Sequence, residues 1–170
     1  MAWTDSRISR QALIDILKAV ASFDLDTHTI TAALYDTGIT PDKDDTAAHF
    51  AYNGSGGAWV SASHEIYDTA AGASWGAGGV NISTPVVQNN GSGVVQFDGV
   101  DTASGTNFTT QINDAGAAVN AMGCLVYDNT LTTPVADQGF CFNYFGGGAS
   151  VAGGQLTIVW NASGIAQITV

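Results

Sequence analysis

Positive charge is what this chain most lacks. Four Lys and Arg stand against fifteen Asp and Glu, a formal charge of −11, and charged residues of both signs make up only 11% of the 170. Arg7, Arg10 and Lys18 are three of the four bases, and from Phe23 onward Lys43 alone faces thirteen acids. Such a surface repels phosphate, so direct nucleic-acid binding is not expected beyond the N-terminal segment. The acidity suits solubility. Sparse charge does not signal disorder here, because 45% of the residues are hydrophobic.

Cysteine is nearly absent too. Cys124 and Cys141 lie seventeen positions apart with no Cys-x-x-Cys or Cys/His cluster, which excludes the usual zinc patterns. Met1 to Asp5 shows no basic region followed by an apolar core, so two free, buried thiols in a reducing cytosol are expected. No apolar run approaches the roughly 20 residues of a membrane span, and no membrane role is expected. His28, His49 and His64 share no ligand spacing, and the Asp42-Lys43-Asp44-Asp45 loop lacks the Gly and distal Glu of a calcium loop. There is no Gly-x-Ser-x-Gly elbow and no phosphate loop. Asp98 and Asp101 are close enough in sequence for an acid/base pair, but Asp98-Gly99 reads more simply as a turn. The chain is not expected to be an enzyme, and no catalytic residue, metal or cofactor is assigned.

What is present is a β pattern with much glycine, 21 residues in all. A single domain spanning residues 1–170 is expected, long enough to bury roughly 70% of its unfolded surface. One helix is predicted over about 6–22, from the three- and four-residue spacing of Ile8, Ala12, Ile16, Ala19, Val20 and Phe23, with Leu13 and Leu17 widening the stripe. Thr4 or Ser6 is its expected cap. The β-domain follows over about 27–170. In its first strand, His28 to Tyr35, Ile30, Ala32 and Leu34 share one face and Ala33 and Tyr35 the other. Later candidates are Val80 to Val87, Val94 to Asp98 beyond an Asn-Asn-Gly-Ser-Gly turn, Gly105 to Thr110, Ala121 to Tyr127 and Phe140 to Phe145. Leu156, Ile158 and Trp160 alternate with Thr157 and Val159, the period of a half-buried strand. After the Asn161 to Gly164 turn, Ile165 to Val170 reads as the second arm of an antiparallel hairpin lying inside a sheet. The total is about eight strands and one helix, a mainly β antiparallel sandwich or barrel-like fold.

Two stretches invite a functional reading. Phe50 to Gly79 is aromatic and Gly-rich, with Trp59-Val60 a possible short strand; its aromatics suit burial, a neighbouring subunit or a sugar. Met1 to Lys18 holds the basic cluster. Trp3 as an exposed anchor, with Arg7, Arg10 and Lys18 around it, is the expected contact with an acidic partner surface; the alternative is that the arginines pair with the protein's own aspartates.

The N-terminal helix, then Asp26-Thr27-His28-Thr29-Ile30-Thr31-Ala32-Ala33-Leu34-Tyr35 leading to Thr40-Pro41-Asp42, then Tyr127 with a following Pro134, and the closing Leu156 to Ile165 form a series. That series resembles small virion structural proteins of tailed double-stranded DNA bacteriophages, described as head decoration or minor structural proteins. The resemblance implies a capsid-decorating protein that is made in the host cytoplasm and carried on the virion. Its implied partner is the major capsid protein, with self-association into a homo-oligomer, and it implies no catalytic residues. A tail or head-fibre component is the alternative within virions. A carbohydrate-binding module built on Trp59 and Trp75 is the alternative outside them.

Overall fold

The computed structural model describes residues 3–61, 64–68, 75–103, 112–113, 120–149 and 155–170. The protein is mainly β, with antiparallel sheets that do not close into a barrel, consistent with a sandwich-like fold. The described residues form twelve strands, several only two residues long, and one helix. The short strands account for the excess over the expected eight. The candidate strand at 105–110 lies outside the described residues.

The large sheet is centred on β2 (Ile30–Tyr35) and β9 (Ala121–Asp128), paired from Ile30↔Asp128 to Tyr35↔Gly123. Beyond β9 come β10 (Gly139–Ala149) and then β1 (Arg7–Ile8). The other edge of β2 is shared by β3 (Glu65–Tyr67), which leads to β8 (Ile112–Asn113), and by β4 (Val80–Asn81). A three-stranded sheet orders β12 (Ala166–Thr169), β6 (Val94–Asp98) and β5 (Val86–Asn89), while β11 (Thr157–Ile158) pairs with β7 (Thr102–Ala103).

Every residue of β2 is buried, and its two faces serve two cores. Ile30, Ala32 and Leu34 join Cys124 and Val126 beneath Phe97, Leu156, Ile158 and Ile165 of the smaller sheets. Ala33 and Tyr35 join Leu125, Tyr127 and Phe142 beneath Trp3, Phe50 and Trp59. The period-two pattern of His28 to Tyr35 thus marks alternating faces, and both are covered. A register shift between Gly139 and Cys141 turns Phe140 and Cys141 into the same core. At Gly123 the bare backbone makes room for Trp3, whose ring would lie 2.3 Å from an added Cβ. The Trp3 indole donates to the Asp36 carbonyl at 2.9 Å.

Three expectations are corrected. The helix α1 is Arg10–Leu17, with Ser9 rather than Thr4 or Ser6 as its cap; the Ser9 hydroxyl accepts from the Ala12 amide at 3.2 Å. The residues before it are drawn off as β1, paired Arg7↔Phe142 and Ile8↔Cys141. At the far end Ala19 adopts φ 53°, and the Ala19 and Val20 amides bond back to the Ile16 and Asp15 carbonyls. That is a Schellman closure with alanine where glycine is usual, so nothing in the sequence announced it. Second, the arms of the terminal hairpin do not pair with each other. Only the Asn161↔Gly164 bridge joins them; β11 pairs with β7 and β12 with β6. The inward alternation of Leu156 and Ile158 holds, with Trp160 half-buried, but Val170 is 89% exposed and β12 is an edge strand. Third, Trp59-Val60 is not a strand; Trp59 sits in a loop and fills the second core.

Candidate docking surface

The helix and the small sheet face each other across an open groove. Asp15, buried on α1, accepts from the Gln138 side-chain amide and from Gln11, both at 2.8 Å, which pins the helix to the start of β10. Across from it, the pairings Val87↔Phe97↔Ala166 and Asn89↔Val95↔Ile168 set these residues on one face of the small sheet. Phe97, at the deep end, is buried and meets Phe140 edge-on at 5.8 Å. Farther out nothing covers the face among the described residues. Val87 and Val95 are each 39% exposed, and on the helix side Ile16 and Leu17 are 37% and 86% exposed.

The result is a groove of about 580 Å³ walled by Leu13, Ile16 and Leu17 on one side and Val87, Val95 and Ile168 on the other. Among the described residues, the only charged side chains lining it are Asp24 and Asp26, in the turn between helix and β2. Asp24 accepts from the Thr27 hydroxyl at 2.7 Å and from the amides of Asp26 and Thr27, and the Thr27 hydroxyl holds its carboxyl below the usual carboxylate range. Asp26 accepts from the Val87 amide and so caps the edge of β5. Single exposed apolar residues are ordinary, but a contiguous apolar trough rimmed by polar groups marks an interaction surface.

The residues expected to form the interface are not gathered there. Trp3 is 3% exposed and belongs to the second core, edge-on to Trp59 and Phe142, so it is no surface anchor. A large aromatic beside a glycine position is drawn inward by the area it buries. Arg7 lies on β1, not in the helix, and pairs with Asp5 at 2.8 Å. Arg10, in the first helical turn, pairs with Asp44 at 3.5 Å and donates to its carbonyl. The hydrogen bond from Lys43 holds the Asp44 carboxyl below its ordinary value, and Arg10 adds to this. Lys18 is the exposed C-cap of α1, next to Leu17.

The other candidate groups have structural partners. His28, His49 and His64 each face a different aspartate, Asp128 at 2.7 Å, Asp45 at 2.9 Å and Asp36 at 3.0 Å. Among the described residues no group of three or more His, Cys, Asp or Glu is placed to hold a metal. Asp98 accepts from the Gly99 amide and from Gln96, and Asp101 from the Trp160 amide. Glu65, fully buried, accepts from the Tyr52 hydroxyl at 2.9 Å and the Gly78 amide at 2.6 Å. Trp59 and Trp75 are 1% and 0% exposed, which removes both side chains on which a sugar platform rested. Cys124 and Cys141 are buried and unbonded. No helix among the described residues is long and apolar enough to cross a membrane.

Comparison with known proteins gives no match: no family model, no curated protein and no solved structure.

The sequence carried one signal of the groove. Eight apolar residues at helical spacing between Ile8 and Phe23 make a stripe wider than one buried face requires. Part of that excess, Ile16 and Leu17, stands exposed on the groove wall. The sheet side of the groove left no such mark, since Val87, Val95 and Ile168 read as ordinary inward strand positions.

Proposed function

We propose that this chain is a structural protein of a tailed-bacteriophage virion, a capsid decoration protein that docks on the outer shell through the groove between α1 and the small sheet. The observation that carries the reading is that groove: an apolar trough of about 580 Å³ between α1 and the small sheet, walled by exposed Leu17, Val87 and Val95. Its function on this view is to be filled by a neighbour. The sequence resemblance over residues 26–42 and 156–165 supplies the setting, and the sandwich-like fold suits it. The partner is the major capsid protein, and self-association into a homo-oligomer belongs to the same reading. Neither nucleic acid, membrane nor cofactor enters, and no reaction is assigned.

A shell repeats one contact many times, so a modest interface on each copy suffices for stable coverage. The contact surface moves from the arginines and Trp3 of the N-terminal segment to the apolar side chains that follow them. The test is copy number on purified particles. Decoration predicts on the order of hundreds of copies per particle. A handful would indicate a tail or head-fibre component, and absence from particles would overturn the proposal.

A further inference from the structure

We propose that the groove receives an apolar segment of a partner protein bearing Lys or Arg where it passes Asp24 and Asp26, and not a second copy of this chain. The inference rests on the docking reading above and names the chemistry of the occupant.

Charge decides between the candidates. Apolar side chains line most of the groove, and among the described residues the two aspartates are its only ionisable side chains. Asp24 is fastened by three hydrogen bonds and Asp26 by its bond to the edge of β5, so neither is free to swing away from an occupant. A second copy would bring a body of −11 against another of −11, with only four basic residues in each to offset it. Three of those are spoken for: Arg7 by Asp5, and Arg10 and Lys43 by Asp44. A fatty acid would suit the apolar walls but set its carboxylate against the aspartates. A basic-flanked apolar segment satisfies both features, burying Leu17, Val87 and Val95 while its cations meet Asp24 and Asp26. Complementary charge at the rim speeds encounter and selects the partner, and the apolar centre supplies most of the affinity.

The probes are three synthetic peptides with the same leucine spacing, in which every polar position is Lys, Glu or Gln. Each is titrated by calorimetry into the parent protein and into Leu17→Asn/Val95→Asn. Both positions are solvent-accessible, at 86% and 39%, so the variant keeps the fold; the single Leu17→Asn serves as a second variant, and melting curves check both. The Lys peptide binds the parent and loses about tenfold in affinity to the double variant, while the Glu peptide does not bind. Equal binding of the Lys peptide to parent and variants shows mere attraction to an acidic body and overturns the proposal. So does binding of the Glu peptide, failure of all three, or a parent dimer in sedimentation that Leu17→Asn abolishes. Particle copy number judges the virion reading separately. Abundant copies with no peptide bound sink the groove inference alone, and absence from particles sinks the virion reading while the peptide result stands.

Discussion

Gln138 donates its side-chain amide to Asp15 at 2.8 Å across 123 positions of sequence, and both residues are buried. This bond, with Gln11 on the other carboxylate oxygen, fixes the wall of the groove to the large sheet. Asp15→Ala leaves both amides without their acceptor, and hydrogen bonds to a charged group are among the stronger ones. Urea unfolding is therefore expected to show a loss of about 3 kcal/mol. A loss under about 1 kcal/mol would mean that packing alone seats the helix.

Ala19 closes α1 at φ 53°, a left-handed conformation that an alanine Cβ resists. Ala19→Gly removes that strain at the cost of a looser unfolded chain, and a net gain of about 0.5–1 kcal/mol is expected. An unchanged or lower melting temperature would count against the closure described.

Burial raises a set of acids that are neutral when protonated. It pushes the Cys141 thiol up to about 12 and Cys124 higher still, where the neighbouring Cys141 adds to the effect. Tyr35, Tyr52 and Tyr127 are raised by burial first; Glu65 is the next cause for Tyr35 and Tyr52, and Tyr52 for Tyr127. Since each folded value lies above the unfolded one, the stabilisation is complete below about pH 8.5, the free-thiol value, and drains as pH climbs through the folded values. The melting temperature should fall steadily from about pH 9 upward, with tyrosine ionisation coinciding with unfolding. Both thiols should be inert to a disulfide reagent in the native protein and react after denaturation. A flat profile with fast native thiol reaction would contradict this.

Arg7 and Arg10 make exposed ion pairs, the arginines 54% and 63% accessible. Reversing both to Glu should change stability by no more than about 1 kcal/mol, because solvent screens such pairs. Particle binding should persist, since neither is placed in the groove wall. Loss of binding with an unchanged melting temperature would return the contact to these arginines.

The parts legible in the sequence were those where local pattern and tertiary burial agree. The two faces of Ile30 to Tyr35 and the inward Leu156 and Ile158 follow from alternation, and these residues are buried. Where partners are chosen at long range, pattern was silent. Leu156 to Val170 looks like a hairpin because its turn residues are right, yet each arm pairs with a distant strand, β11 with β7 and β12 with β6. Trp3 followed by Arg7 and Arg10 looks like a surface anchor until Gly123, 120 positions away, opens a seat for the indole. The groove needed the placement of α1 against a sheet that joins residues 86–98 to residues 166–169, which no local spacing encodes.

On the proposed decoration reading, hydrogen exchange of the protein free and bound to phage particles tests the docking groove most directly. Binding is expected to slow exchange along residues 13–17, 23–26, 86–89, 94–97 and 166–170, which hold most of the groove lining, and to leave residues 3–7 and 42–45 unchanged. Protection confined to residues 3–7 and 42–45, or none along the groove in protein that is demonstrably bound, would contradict it.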